Sequence, residues 1–118
     1  MTFYYFYTYF IAHNCTFIKR QLFKTVGLYD EKYKIASDWK FFLLAVCKYN
    51  CTTNWLNITI STMTEGGISN NPEYKGLVEE ERMKIMQEHF PAFIEDYKCL
   101  YNYRHNSFKK NLRGILKD

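Results

Sequence analysis

The stretch Gly27-Leu28-Tyr29-Asp30-Glu31-Lys32-Tyr33-Lys34-Ile35-Ala36-Ser37-Asp38-Trp39-Lys40-Phe41-Phe42 does most to decide the fold predicted for this chain. A short helix is predicted just before it, over residues 21–26. Gly27 takes the position after that helix, where a left-handed residue is favoured. An acidic turn follows, and Ser37 then predicts the cap of a second helix over residues 38–49.

The second helix carries the pattern of an element packed on a core. Its large apolar residues recur at intervals of three and four, which places them on one helical face: Trp39, Phe42, Leu43 and Val46. This face predicts a buried helix whose first turn carries the Asp38 carboxylate.

Working outward, three segments read as strands. They are Phe3–Tyr9, Cys15–Lys19 and Cys51–Met63, the last as one or two strands, because each is rich in aromatic, β-branched or threonine residues. Residues 64–72 contain the Gly and Asn-Pro signals of a loop, and the chain turns helical from Glu73. Strands and helices together predict a mixed α/β class.

The composition predicts one small folded domain. The chain has 118 residues, 47% of them hydrophobic and 19% aromatic, which argues against disorder. The apolar N-terminal run lacks a basic leader and is too short to cross a bilayer as a helix. The four cysteines lack zinc-ligand spacing, so they predict reduced thiols and no metal site.

The charge is divided unevenly along the chain. Residues 73–96 carry three basic and seven acidic side chains, whereas residues 97–118 carry six basic and one acidic. The second segment predicts a basic amphipathic C-terminal helix. Three roles stay open for it: packing on the domain, binding an anionic membrane surface, or contacting nucleic acid.

Two side chains are candidates for chemistry, and each has a plainer alternative. Asp38 is either an acid that interacts favourably with the helix dipole or a general base held at a rigid helix start. His13 is either a hydrogen-bonded structural histidine or a catalytic group. The loop 65–69 could bring backbone N–H groups close to a ligand, because glycine lacks a Cβ.

Four motifs occur together in a fixed order. They are His-x-x-Thr-Phe-Ile-Lys-Arg from His13, Leu-Phe-x-x-x-Gly-Leu-Tyr-Asp-Glu from Leu22, Ile-Ala-Ser-Asp-Trp-x-Phe-Phe from Ile35, and Gly-Gly-Ile-Ser from Gly66. In this order they resemble the second half of family 2 glycosyltransferases, above all bacterial enzymes that build surface polysaccharides. The resemblance implies a partial GT-A domain over residues 1–96, a mixed sheet flanked by helices, with the basic helix 97–118 after it.

The resemblance also implies a mechanism and a set of site residues. Asp38 maps onto the family's base, which deprotonates an acceptor hydroxyl for inverting transfer from a nucleotide sugar. In the complete enzyme, Mg²⁺ or Mn²⁺ would neutralise the diphosphate. The residues expected on the acceptor side are His13, Trp39, Gly66, Gly67 and Ser69.

The chain departs from the family pattern in three ways. Ser37 stands where many relatives carry a second acid, and Asn14 stands where they often carry glutamine. The Asp-x-Asp metal motif is missing, as is the nucleotide-binding βαβ unit that carries it. The chain is therefore expected to be a fragment that transfers no sugar by itself.

The expected partners and location follow from this interpretation. A nucleotide sugar and a saccharide acceptor are expected for the complete enzyme, with no nucleic acid. An exposed sheet edge would favour self-association. A cytoplasmic location is expected, at the inner face of the membrane if residues 97–118 bind lipid.

Two other functions compete with this one. In the first, the chain is a non-catalytic module whose aromatic face and basic tail bind a membrane or a partner protein. In the second, which is weaker, the aromatic side chains form a platform for single-stranded nucleic acid.

Overall fold

The structure is a computed structural model that describes residues 1–62 and 71–115. Five α-helices occur in this part of the chain: α1 Phe3–Thr8, α2 Leu22–Thr25, α3 Ser37–Leu43, α4 Lys75–His89 and α5 Ile94–Ile115. A π-helical turn continues α3, and 3₁₀ turns occur at His13–Cys15, Pro72–Tyr74 and Pro91–Phe93. The chain divides into two compact units, residues 1–85 and 86–118.

The predicted mixed α/β fold with a GT-A-like sheet is wrong for this structure. No strand occurs in residues 1–62 or 71–115, and most of these residues are helical. The physical reason is backbone pairing. A strand satisfies its N–H and C=O groups only with a neighbouring strand, whereas a helix satisfies them within itself. Without a sheet edge in the described ranges, the predicted self-association lacks a structural basis and stays a prediction.

The first predicted strand, 3–9, is the helix α1. Thr2 caps it, with its Oγ1 accepting a hydrogen bond from the Tyr5 N–H at 3.3 Å. Phe3 and Phe6 are buried on one face, three residues apart. Because nearly every position in this segment is aromatic, it fits the period of a strand and the period of a helix equally well.

The other two predicted strands are irregular segments. Residues 16–19 follow the His13–Cys15 turn without pairing, and no strand occurs over residues 51–62. Met63 and the predicted loop residues 64–70 lie outside the described ranges.

Helix α2 confirms the prediction for residues 21–26 to within one residue at each end. Its C-cap is Val26, and Gly27 follows with φ +102°, the left-handed conformation expected there. The acidic turn after Gly27 is also present. Asp30 accepts hydrogen bonds from the backbone N–H groups of Lys32 and Tyr33, at 3.1 Å in both cases.

Two glycine substitutions are expected to act in opposite directions. Gly27→Ala should lower the free energy of unfolding by about 1 kcal/mol, because the backbone of an alanine is strained at positive φ. Gly76→Ala, in helix α4, should raise it by up to about 1 kcal/mol through helix propensity. A Cβ meets no atom within 4 Å at either position, so urea denaturation of the two variants isolates the backbone effect. Equal effects from the two substitutions would contradict the left-handed turn.

Helix α3 and the turn after it confirm the predicted helix 38–49. Trp39, Phe42 and Leu43 are buried as the pattern predicts, and Val46 is half-buried. The predicted cap is wrong, since Ser37 is the first helical residue and Ala36 is the N-cap. The Ser37 hydroxyl is buried without a hydrogen-bond partner in the described part of the chain.

The core of the first unit brings α1, α3 and α4 together. Phe6, Leu43 and Ile85 are its most completely buried side chains, one from each helix. The Trp39 indole N–H is shared between the carbonyl oxygens of Phe6 and Tyr9, both at 3.2 Å. These two bonds fix the start of α3 against the end of α1.

The second unit contains the end of α4, the Pro91–Phe93 turn and α5. Pro91 begins the turn after Phe90, and Glu95 and Asp96 lie in the first turn of α5, where negative charge is favourable. The helix covers most of the predicted C-terminal segment, but a domain boundary at residue 96 stays a prediction.

Candidate functional site

A buried carboxylate from α4 holds the segment that leads into α3. Glu81 is 7% exposed and accepts hydrogen bonds from three consecutive backbone N–H groups. Its Oε1 accepts from Lys34 at 2.8 Å, and its Oε2 accepts from Ile35 at 3.0 Å and Ala36 at 2.9 Å. These bonds fix the backbone two residues before Asp38.

The same hydrogen bonds keep the Glu81 carboxyl ionised. Burial raises the pKa of the Glu81 carboxyl, but the hydrogen bonds from the N–H groups of Ala36, Ile35 and Lys34 outweigh it. Together with the Lys84 charge they hold this pKa below its ordinary value. Glu81 is therefore an anion whose hydrogen bonds go to the backbone rather than to solvent.

A salt bridge also holds α3 against the acidic turn. The Lys40 ammonium lies 2.6 Å from Asp30 Oδ2 and 4.9 Å from the centre of the Tyr33 ring. The hydrogen bonds from Lys40 and from the Lys32 N–H lower the pKa of Asp30. Helix α3 is thus anchored on both sides of its first turn.

His13 lies at the start of a tight turn. The Ala12 carbonyl oxygen accepts hydrogen bonds from the Thr16 hydroxyl at 2.8 Å and the Cys15 N–H at 3.2 Å. The His13 carbonyl oxygen accepts from the Thr16 N–H at 3.2 Å. These bonds hold the backbone of His13 while its side chain stays 59% exposed.

The structure brings His13 and Asp38 together from 25 residues apart. His13 Nδ1 lies 3.0 Å from Asp38 Oδ2, a hydrogen-bond distance. The other oxygen of Asp38 accepts a hydrogen bond from the Trp39 N–H at 2.7 Å. Asp38 is 29% exposed, so the pair is open to solvent mainly at the histidine.

A cleft of about 100 Å³ adjoins Asp38, on a side that His13 does not line. Asp38, Trp39 and Arg82 line it, together with Phe10, Ile35, Ala36 and Val78. The Arg82 guanidinium carbon lies 5.2 Å from the centre of the Trp39 ring and 5.9 Å from that of Phe10, within cation–π distance. The described residues offer no hydrogen-bond partner to its buried Nε.

The charges around the cleft affect one another. Burial lowers the pKa of Arg82, while the carboxylates of Asp38 and Glu79 oppose that shift. Burial, and secondarily the Asp38 charge, raises the pKa of Tyr29. Arginine stays charged in proteins, so the cleft holds a carboxylate and a guanidinium side by side.

The residues predicted for the site have different outcomes. Asp38 and His13 lie together, which the sequence alone did not indicate. Trp39 is 2% exposed and its indole N–H is committed to α1, so its role on the acceptor side stays a prediction. The loop residues Gly66, Gly67 and Ser69 lie outside the described ranges.

Sequence reasoning missed Glu81 and Arg82 and included them only in the charge count of residues 73–96. A signal was present. Val78, Glu81, Arg82 and Ile85 follow the i, i+3, i+4, i+7 pattern of one helical face, and Glu81 and Ile85 are buried. Two charged residues on the apolar face of a helix indicate specific partners, because buried charges are otherwise costly.

The described residues contain no cluster of side chains that could hold a metal ion by themselves. No group of three or more His, Cys, Asp or Glu side chains in residues 1–62 and 71–115 is arranged to hold a metal ion. The Mg²⁺ or Mn²⁺ expected in the complete enzyme stays a prediction.

Comparison with known proteins gives one kind of match. Over 61 residues the chain is 31% identical to proteins of Mycobacterium bovis and Mycobacterium tuberculosis, each named PGL/p-HBAD biosynthesis glycosyltransferase. The chain is related to glycosyltransferases over this segment. The match covers 51% of this chain but 24% of the relatives, so the chain spans about a quarter of their length. It specifies neither a glycosyltransferase family nor a mechanism.

The remaining comparisons are negative. No family model matches the chain, and no solved structure matches it. Within the described ranges, none of the helices has both the length and the apolar character needed to cross a membrane.

Proposed function

We propose that this chain is the acceptor-side part of an inverting glycosyltransferase of family 2 type. The complete enzyme would transfer a sugar from a nucleotide sugar to a saccharide acceptor in surface polysaccharide synthesis. The observation that carries the proposal is the 3.0 Å contact between His13 and Asp38, the second of which lines a cleft, in a chain related to glycosyltransferases.

The pair offers the chemistry that such a transfer requires from the acceptor side. A sugar hydroxyl is a poor nucleophile until a base removes its proton as it attacks. The pair is held at the start of a buried helix by Glu81 and Lys40, so little reorganisation is needed when the acceptor binds. The acceptor would lie over the exposed edge of His13.

The donor side would come from elsewhere in the complete enzyme. The relatives are about four times longer than the matched segment, which leaves ample chain for a nucleotide-binding half. Charge stabilisation of the leaving diphosphate is usually the largest single term in such a reaction. We therefore expect this chain alone to transfer no sugar. Cytoplasmic action, where a nucleotide-sugar pool would be available, is part of the proposal.

A chimera tests this function. The 118-residue chain would replace the segment of the Mycobacterium tuberculosis relative with which it aligns, and sugar transfer to that enzyme's acceptor would be measured. Transfer above that of the relative with the segment deleted is expected. A chimera that folds by circular dichroism but transfers no sugar to any of a panel of saccharide acceptors would contradict the proposal.

One observation favours the second candidate function, a non-catalytic module that binds a partner. Phe17 and Trp55 are 72% and 91% exposed, and both line an apolar hollow with Leu56. Exposed apolar clusters often mark binding surfaces. In that case the Asp38→Asn substitution, which removes no apolar surface, would leave partner binding unchanged.

A further inference from the structure

We infer that the acceptor's proton is taken by His13 Nε2 and that Asp38 is the residue that positions the imidazole. The inference rests on the proposed glycosyl transfer and assigns its proton-accepting atom. It differs from the expectation drawn from the family resemblance, in which Asp38 itself removes the proton.

The hydrogen bond between the two side chains fixes the tautomer. An ionised carboxylate can only accept, so His13 Nδ1 must donate its N–H to Asp38 Oδ2 across the 3.0 Å contact. In the neutral ring the proton is then on Nδ1, and Nε2 carries the free lone pair. Nε2 is therefore the ring nitrogen that can accept a proton.

Solvent access favours the same atom. Each Asp38 oxygen already accepts one hydrogen bond, from His13 or from the Trp39 N–H. Asp38 is 29% exposed and His13 59%, so an incoming hydroxyl meets the imidazole more readily.

The step balances without a further reagent besides the nucleotide sugar. The acceptor O–H bond breaks, and its proton goes to Nε2. The oxygen uses the released electron pair to bond the anomeric carbon, and the bond from that carbon to the diphosphate breaks with its electrons. The imidazolium that results lies against the Asp38 carboxylate, which compensates its charge.

Long-range proton–nitrogen NMR on the full 118-residue chain tests the tautomer directly. At a pH where the ring is neutral, His13 should show a protonated Nδ1 and a bare Nε2. Asp38→Ala should move its proton toward Nε2, while the exposed His105, on α5, keeps its spectrum as an internal control. A wild-type His13 with its proton on Nε2 would overturn the inference.

The catalytic role is tested in the active chimera with His13→Gln. Removal of a general base typically lowers the rate about 10²–10⁴-fold, and a loss in kcat of that order is expected. A His13→Gln chimera that keeps full kcat would overturn the inference and leave the proposed function standing. A wild-type chimera without transfer would overturn both, so the two failures are distinguishable.

Discussion

Replacing Glu81 with glutamine is expected to lower the free energy of unfolding by about 3 kcal/mol, because hydrogen bonds to a buried charged group contribute about 1.5–3 kcal/mol. The carboxylate accepts from three backbone N–H groups, and glutamine has only one acceptor oxygen. At least one of these N–H groups would then face the amide nitrogen. In thermal unfolding, a loss of this size would lower Tm by roughly 10 °C.

The neighbouring residue supplies the matched control. Glu80 is exposed and, in the described part of the chain, pairs with Lys84 on the helix surface, at 2.6 Å. Such pairs contribute about 0–1 kcal/mol, so Glu80→Gln should be nearly neutral. If the two substitutions proved equally mild, the three-bond anchor around Ala36 would not be present in solution.

The same carboxylate makes stability depend on pH in a defined direction. The pKa of Glu81 in the folded chain is lowered from an ordinary value of 4.5. Its contribution is therefore complete above about pH 4.5 and is lost as the pH falls through the lower folded pKa. The difference in unfolding free energy between wild type and Glu81→Gln should shrink over this acidic range and stay constant above it.

Replacing Asp38 with asparagine in the active chimera is expected to lower kcat about 10²–10⁴-fold, the range for loss of general-base catalysis. Asparagine is isosteric but uncharged, and its amide can hold the His13 ring in either tautomer. It also cannot compensate the imidazolium that forms during transfer. The fold should persist, because α3 is held by Glu81 and by the Lys40–Asp30 pair.

Two measurements separate this catalytic loss from a structural one. The circular dichroism spectrum and Tm of the Asp38→Asn chimera should match those of the parent chimera. Glu31→Gln, an exposed carboxylate in the turn before α3, should keep the full rate. Because His13 and Asp38 act as a unit, the double variant should be little slower than either single variant.

The elements that sequence predicted correctly depend on local signals. Gly27 ends α2 through its left-handed conformation, and the apolar spacing of Trp39, Phe42 and Leu43 indicates α3. Both signals act within a few residues. They therefore hold whether or not a sheet surrounds them.

The strand predictions were wrong because a strand forms only when its backbone pairs with a neighbouring strand. Residues 3–9 and 51–62 have the composition of strands, but their backbone groups find no strand partner in the described ranges. Residues 3–8 form a helix instead, with Thr2 as its cap. Strand propensity measures fit to a pleated neighbour rather than an intrinsic backbone preference.

The sequence indicated which residues belong to the site but not how they are arranged. The resemblance singled out Asp38 and His13, but their contact joins residues 25 positions apart and depends on tertiary structure. Glu81 lies further along the chain and stabilises the site through backbone groups, whose positions carry no side-chain signature. Only its place on the apolar face of α4 indicated a buried role.

The central claim, that this chain supplies the proton-accepting pair of a glycosyltransferase, is tested most directly by one ratio. It is the initial rate of sugar transfer of the chimera divided by that of the same chimera carrying Asp38→Asn, at saturating donor and acceptor. A ratio of about 100 or more is predicted. A ratio near one, with both proteins folded and active, would contradict the account.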